Sequence, residues 1–185
     1  MLWYPLQKRI VQEGESAMNS FKEKEYNVFE MFSRQWALVT AGTIEHFNTC
    51  TIGWGSMGTI WDGADHGRSI VTVYVHPDRF TWEYLKECSL FTVSFYPETY
   101  RKALGYLGSH SGRNEDKVAA VGFTPKELGG GVTFAEAELS FVCRKLYQGP
   151  FEREGLAAEI DRGIYRDWAP HWMFIGQIIE SEDCR

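Results

Sequence analysis

The chain has 185 residues, a formal net charge of −6, and 44% hydrophobic against 24% charged residues, a globular composition at about the length of one domain. It has no basic run of the kind that displaces counterions from nucleic acid. No apolar stretch approaches the ~20 residues that span a bilayer, so neither nucleic acid nor membrane is expected as a partner.

The first 35 residues are polar, with the charge run Lys22-Glu-Lys-Glu25, and read as an N-terminal arm ending in a short helix over Asn27–Arg34. From residue 36 to 185 the texture is that of a single domain. Trp36–Ala41 and Asn48–Trp54 are short strands about a polar turn at Ile44–Phe47, and Ser69–Val75 is a strand rich in β-branched residues, ended by Pro77. Phe80–Glu87 carries apolar residues at helical spacing. Leu90–Phe95 is the next strand, stopped before Pro97, and Glu98–Leu107 a helix closed by Gly108. Lys117–Val121 is a helical turn. Val132–Val142 alternates as one strand that continues to Tyr147, Gly155–Asp161 is a short helix, and Met173–Glu180 is a closing strand. Six or seven strands without regular β-α alternation predict a mainly β fold, an antiparallel barrel with peripheral helices.

Gly53-Trp-Gly-Ser-Met-Gly58 matches the dinucleotide fingerprint G-x-G-x-x-G. That fingerprint requires a helix to open at the glycines and meet the pyrophosphate. The Gly- and Asp-rich stretch Thr59–Gly67 reads instead as a turn, so the glycines are assigned to a bent strand or bulged hairpin along which a flat group can lie. The four cysteines (50, 88, 143, 184) form no Cys-x-x-Cys, and the N-terminal residues lack the pattern of a signal peptide; free thiols in a reducing cytoplasm are expected.

Three segments carry donors suited to an anionic, planar ligand. Asn48, Thr49, Thr51 and Ser56 interleave with Trp54; the same pattern also suits a Thr-rich edge strand. Ser109, Ser111 and the Gly112 amide stand beside Arg113 and Lys117, a set that fits a phosphate or a solvated, helix-capping loop. Arg79 and Thr81 follow a strand, where Thr81 faces a ligand or caps the next helix. The histidines show no metal-ligand spacing. His171 lies in the aromatic turn Asp167-Trp-Ala-Pro-His-Trp-Met173. There is no nucleophile elbow and no assignable catalytic acid, base or nucleophile.

The ordered set Trp36-Ala-Leu-Val-Thr-Ala-Gly42, Asn48–Gly58, Val75-His-Pro-Asp-Arg-Phe-Thr81, Phe91–Phe95, Ser111-Gly-Arg-Asn-Glu-Asp-Lys117, Cys143-Arg-Lys-Leu-Tyr147 and His171-Trp-Met-Phe-Ile-Gly176 resembles the flavin reductase-like, FMN-binding split-barrel family, its flavoredoxin-type members above all. The resemblance implies a Greek-key split β-barrel, a homodimer, bound FMN and NAD(P)H as reductant. It implies a flavin oxidoreductase or, alternatively, a non-catalytic FMN-binding or electron-carrier protein. By the same resemblance the segment holding Asn48, Thr49, Cys50, Thr51 and Trp54 lies along the flavin. Arg79, Thr81, Ser111, Gly112, Arg113 and Lys117 hold the ribityl phosphate and its surroundings, and His171 lies near the flavin or nicotinamide. The sequence departs from the family's usual residues at Cys50 (Met), Gly53 (Ser), His76 (Arg) and Asn114 (Asp).

Overall fold

Seven strands join into one antiparallel sheet in the computed structural model, which describes residues 21–62 and 67–185. In chain order the strands are β1 (Ala37–Thr43), β2 (His46–Ile52), β3 (Gly55–Ile60), β4 (Arg68–Val75), β5 (Leu90–Phe95), β6 (Pro125–Leu128), β7 (Gly131–Phe134), β8 (Leu139–Pro150) and β9 (Trp172–Asp183). The large sheet runs β2-β1-β5-β8-β9-β4-β3, and β6 and β7 form a separate hairpin. The chain leaves β2 at one end, crosses to β3 and β4 at the other, and returns to β5 beside β1, which is a Greek-key path. The sheet curls until β2 approaches β4, so the barrel is split along the free edge of β2.

Helices cover the outside: α1 (Val28–Glu30), continued by a wider π-helical turn over Met31–Gln35, α2 (Phe80–Glu87), α3 (Arg101–Ser109), α4 (Lys117–Val121) and α5 (Ala158–Gly163). Asn27 caps α1 by accepting the Glu30 N–H, and Asp116 caps α4 by accepting the Ala119 N–H. β1 is buried on both faces, for a reason set by the two-residue period of a strand. Ala37, Val39 and Ala41 enter the barrel core with Val73, Phe91, Phe141 and Phe174, while Leu38 points outward into a second core with Leu104, Leu107, Phe123 and Phe134 beneath α3.

Several expected boundaries change. The alternation read as one strand over 132–142 is two strands, because Ala137 N–H turns back to the Phe134 carbonyl and separates β7 from β8. Pro125–Leu128 pairs with β7 as a strand that its Pro and charges concealed. Gly55–Ile60, whose glycines the sequence assigns to a bent strand or bulged hairpin and whose Thr59 and Ile60 to a turn, is as a whole the edge strand β3, paired with β4 from Gly55↔Val73 to Ile60↔Arg68. No helix opens at those glycines. The flat group against Gly55 is Phe32 of the chain itself: a Cβ on Gly55 would stand 2.5 Å from Phe32 Cζ. Of the N-terminal arm, residues 1–20 lie outside the described residues, as does His66. Phe21, Met31 and Phe32 belong to the barrel core. No helix among the described residues is long and apolar enough to cross a membrane.

Candidate functional site

The three donor segments, far apart in sequence, meet at the free edge of β2. On one side stands the N-terminus of α2, carrying Arg79 and Thr81; on the other, the chain that ends α3 and leads to α4 packs across the strand. A Cβ on Gly108 would stand 3.0 Å from Thr51 Cβ, and one on Gly112 would stand 2.9 Å from Asn48 Oδ1. Glycine at these positions lets the loop lie on the strand. Lys117 is buried, 4% exposed. Its ammonium donates to the carbonyls of Leu107 (2.8 Å) and His110 (3.0 Å), which α3 leaves unpaired at its end, and retains a third proton. Burial lowers the Lys117 pKa, as does the nearby Arg79 cation, while Cys50 and Glu115 oppose the shift.

Cys50 lies among these groups. Burial pushes its thiol pKa up, against the opposing influence of Thr81, Lys117 and Arg79. The Thr81 hydroxyl stands against the Cys50 sulfur without a well-directed hydrogen bond, and both Thr81 Oγ1 and Asn48 Nδ2 are buried and unpartnered. Native proteins rarely leave such atoms orphaned. Two orphaned donors, two cations and a glycine loop form a cradle that suits a phosphate. Arg79 also donates to the Gly108 carbonyl, which ties the loop to α2.

Next to the cradle, farther along β2, lies a cleft of about 360 Å³ lined by Cys50–Trp54, Tyr74–His76, Arg79, Trp168 and His171. β2 is an edge strand, so alternate backbone N–H and C=O groups face the split with no ladder partner. The far wall is a ring stack. His76 lies on Trp168 with centroids 4.4 Å apart, and His171 meets Trp54 at 4.7 Å and His76 at 5.1 Å. His76 Nδ1 accepts the Asp78 N–H at 3.2 Å, which puts the proton of the neutral ring on Nε2, a buried donor without a partner. The Tyr165 hydroxyl and His171 Nδ1 share a hydrogen bond of 3.1 Å.

Burial, with His76 and Arg79 nearby, lowers the His171 pKa to about 4. An unfolded histidine titrates near 6.5. As pH falls from about 6.5 to about 4 the unfolded chain takes up a proton that the folded chain refuses, so this residue's contribution to stability is lost across that window and is constant above it. His171→Gln is therefore expected to flatten the dependence of Tm on pH between 4 and 6.5. An unchanged slope would mean that the imidazole titrates as in the unfolded chain.

The side chains of the other expected site residues have partners of their own, although Thr51 also lines the cleft. Thr49 is fully buried and bonds Thr40 Oγ1 (2.8 Å) and the Val39 carbonyl (3.1 Å). Thr51 donates to the Leu104 carbonyl (2.6 Å). Ser111 Oγ accepts the Arg113 N–H at 3.3 Å. Arg113 is exposed, ion-paired with Glu83, bonded to the Asp78 carbonyl (3.2 Å) and laid over the Phe80 ring (4.7 Å). Trp172, next to His171 in the chain, packs edge-on against Trp82 at 5.1 Å and does not line the cleft. Sequence reasoning passed over Tyr165 and Trp168, although both fall in the aromatic stretch before His171. Among the described residues no three His, Cys, Asp or Glu converge to hold a metal. The four cysteines are free thiols.

A family model described as the flavin reductase like domain matches residues 29–182. The chain belongs to the flavin reductase-like domain family. Membership sets the coarse class, a flavin-related domain. Solved structures similar to this flavin reductase-like domain include an FMN-binding protein from Thermus thermophilus with bound p-hydroxybenzaldehyde (24% identity, TM-score 0.61, covering 80% of this chain and 70% of that one). Flavoredoxin from Methanosarcina acetivorans (22%, 0.60, 87% and 74%) and a split-barrel protein of flavin reductase type from Shewanella frigidimarina (15%, 0.59, 88% and 76%) are similar too. At these identities the likeness establishes the split-barrel fold. A search of curated proteins found no match.

Proposed function

We propose that this domain binds FMN, phosphate in the cradle and ring in the cleft, and works as an oxidoreductase between NAD(P)H and flavin or a downstream acceptor. The observation that carries this reading is the meeting, at one strand edge, of two orphaned buried donors with Arg79 and Lys117. In a protein of net charge −6, a dianionic phosphate needs such a local concentration of cations and donors. Bound FMN supplies the redox chemistry, accepting a hydride and passing electrons on.

The chain's own residues bind and orient. Asn48, Thr81, Arg79 and Lys117 fix the phosphate, the free amides of β2 and the His76 Nε2–H offer donors to ring heteroatoms, and Trp54, Trp168 and His171 wall the ring from water. Hydride transfer requires no protein nucleophile, in keeping with the absence of one in the sequence. Homodimer formation is part of this proposal and draws on an apolar groove beside the cleft, where Phe29 is 89%, Trp54 46% and Ile164 45% exposed. So is a cytoplasmic setting, which suits four free thiols.

The visible spectrum of the purified protein tests the reading. Micromolar FMN should bind with a shifted absorption band and quenched fluorescence, NADH or NADPH should bleach it in stopped flow, and light scattering should give twice the chain mass. Absence of any flavin binding would sink the proposal; binding without bleaching would leave a non-catalytic flavin carrier.

A further inference from the structure

The chain between β8 and β9, residues 151–171, carries the far wall of the ring cleft but has little packing of its own. Its base is closed, since the Phe151 N–H donates to the His171 carbonyl at 3.0 Å. Beyond that base only Tyr165 is buried, at 3% exposed, while Trp168 is 51% exposed. A segment with so few buried apolar groups opens at little cost in free energy. The polar contacts inside it therefore decide where the wall stands. We infer that Arg153 is the positioning residue of that wall: its guanidinium, outside the cleft, holds Trp168 and His171 where a flat ring meets them. On the ligand side the inference rests on the flavin reading above.

The guanidinium makes three hydrogen bonds, all within the stretch. Nη1 donates to Asp161 Oδ1 of α5 at 2.5 Å, and Nη2 donates to the carbonyls of Tyr165 (2.7 Å) and Trp168 (2.8 Å). A planar fork with donors in fixed directions meets a carboxylate and two carbonyls at once. Both carbonyls belong to residues that reach the site. Tyr165 passes the constraint on through its hydroxyl, which shares a 3.1 Å hydrogen bond with His171 Nδ1. Trp168 passes it on through its ring, which stacks on His76 at 4.4 Å. Arg153 does not itself line the cleft, so it acts on a ligand only through these side chains. Its ion pair with Asp161 lies at the surface, the side chains 44% and 33% exposed, and such pairs add little to global stability. What the guanidinium supplies is the place of the wall, not the stability of the barrel.

Arg153→Ala tests the assignment in three measurements beside the native protein. Without flavin, NMR follows the imidazole of His171, whose pKa burial, with His76 and Arg79 nearby, lowers to about 4. In the variant it is expected to titrate above about pH 5, because water reaches a ring that burial kept neutral. With flavin, FMN and riboflavin, which lacks the phosphate, should each bind about tenfold more weakly, since the wall is no longer preorganised. The ratio of the two affinities should not change, because the cradle is untouched. Tm should stay within about 4 °C of the native value, the range a surface ion pair supplies. An unchanged His171 titration, an unchanged affinity for riboflavin or a larger fall in Tm would each overturn the inference. A native protein that binds neither flavin would overturn the flavin reading alone, and the His171 titration would then decide whether Arg153 sets the wall.

Discussion

Lys117→Met is expected to weaken FMN binding by 10- to 100-fold and to lower stability by about 2 kcal/mol, in the range of a hydrogen bond to a charged group. Methionine keeps most of the length and apolar stem but offers no donor. The carbonyls of Leu107 and His110, which the ammonium satisfies at 2.8 and 3.0 Å, would be left without it, and the cradle would lose the cation buried deepest among its donors. FMN titration and urea unfolding of the variant read the two effects separately. Arg113→Ala is the contrast. Arg113 is exposed and paired with Glu83, and such surface pairs contribute about 0–1 kcal/mol, so its loss should change FMN affinity far less. If Lys117→Met binds FMN as the native protein does, the cradle is not the phosphate site.

The second large effect concerns the hairpin that sets β2. Gly42 has φ +121°, a backbone conformation that a side chain strains. A Cβ there would stand 2.5 Å from Phe47 Cα and collide with the His46 carbonyl oxygen, both backbone atoms of the facing strand. Gly42→Ala should therefore destabilise the protein by about 3 kcal/mol, combining backbone strain with overpacking. For a chain of this size that is a fall in Tm of about 6–12 °C. It should also weaken FMN binding, because relief requires β2 to move, carrying Asn48 and Cys50 with it. Gly58→Ala provides the control. A Cβ there meets nothing within 4 Å, and the change should leave Tm nearly constant. Equal Tm values for the two variants would show that the turn relaxes without displacing β2.

Local pattern was enough to place most strands and the long helices. The β-branched run Ser69–Val75, the apolar spacing of Phe80–Glu87 and the stop at Pro77 encode conformation through neighbours a few residues away, and the structure keeps all three, whereas α3 runs through the expected stop at Gly108 to Ser109. It was not enough for the extent and pairing of β3 or for the break between β7 and β8. Gly55–Ile60 forms a strand because β4 pairs with it, against the preference of its glycines. The alternation through 132–142 hid a reversal that a single hydrogen bond enforces.

The site divides in the same way. From the sequence alone came the residue types a phosphate and a flat ring require, in three separate segments, together with the ordered motifs that mark the family. Only the tertiary structure decided which of those groups converge. Lys117 and Arg113 carry the same charge and lie four residues apart. One is drawn out of water to the helix end and β2, while the other is exposed against Glu83, and desolvation is a property of what packs around a group. The glycine run shows the same limit. Its sequence said that something flat lies close to the backbone, and the fold made that ring Phe32. Which groups meet depends on strand order and register, fixed by contacts between residues distant in the chain, whereas sequence pattern reports on the few residues on either side.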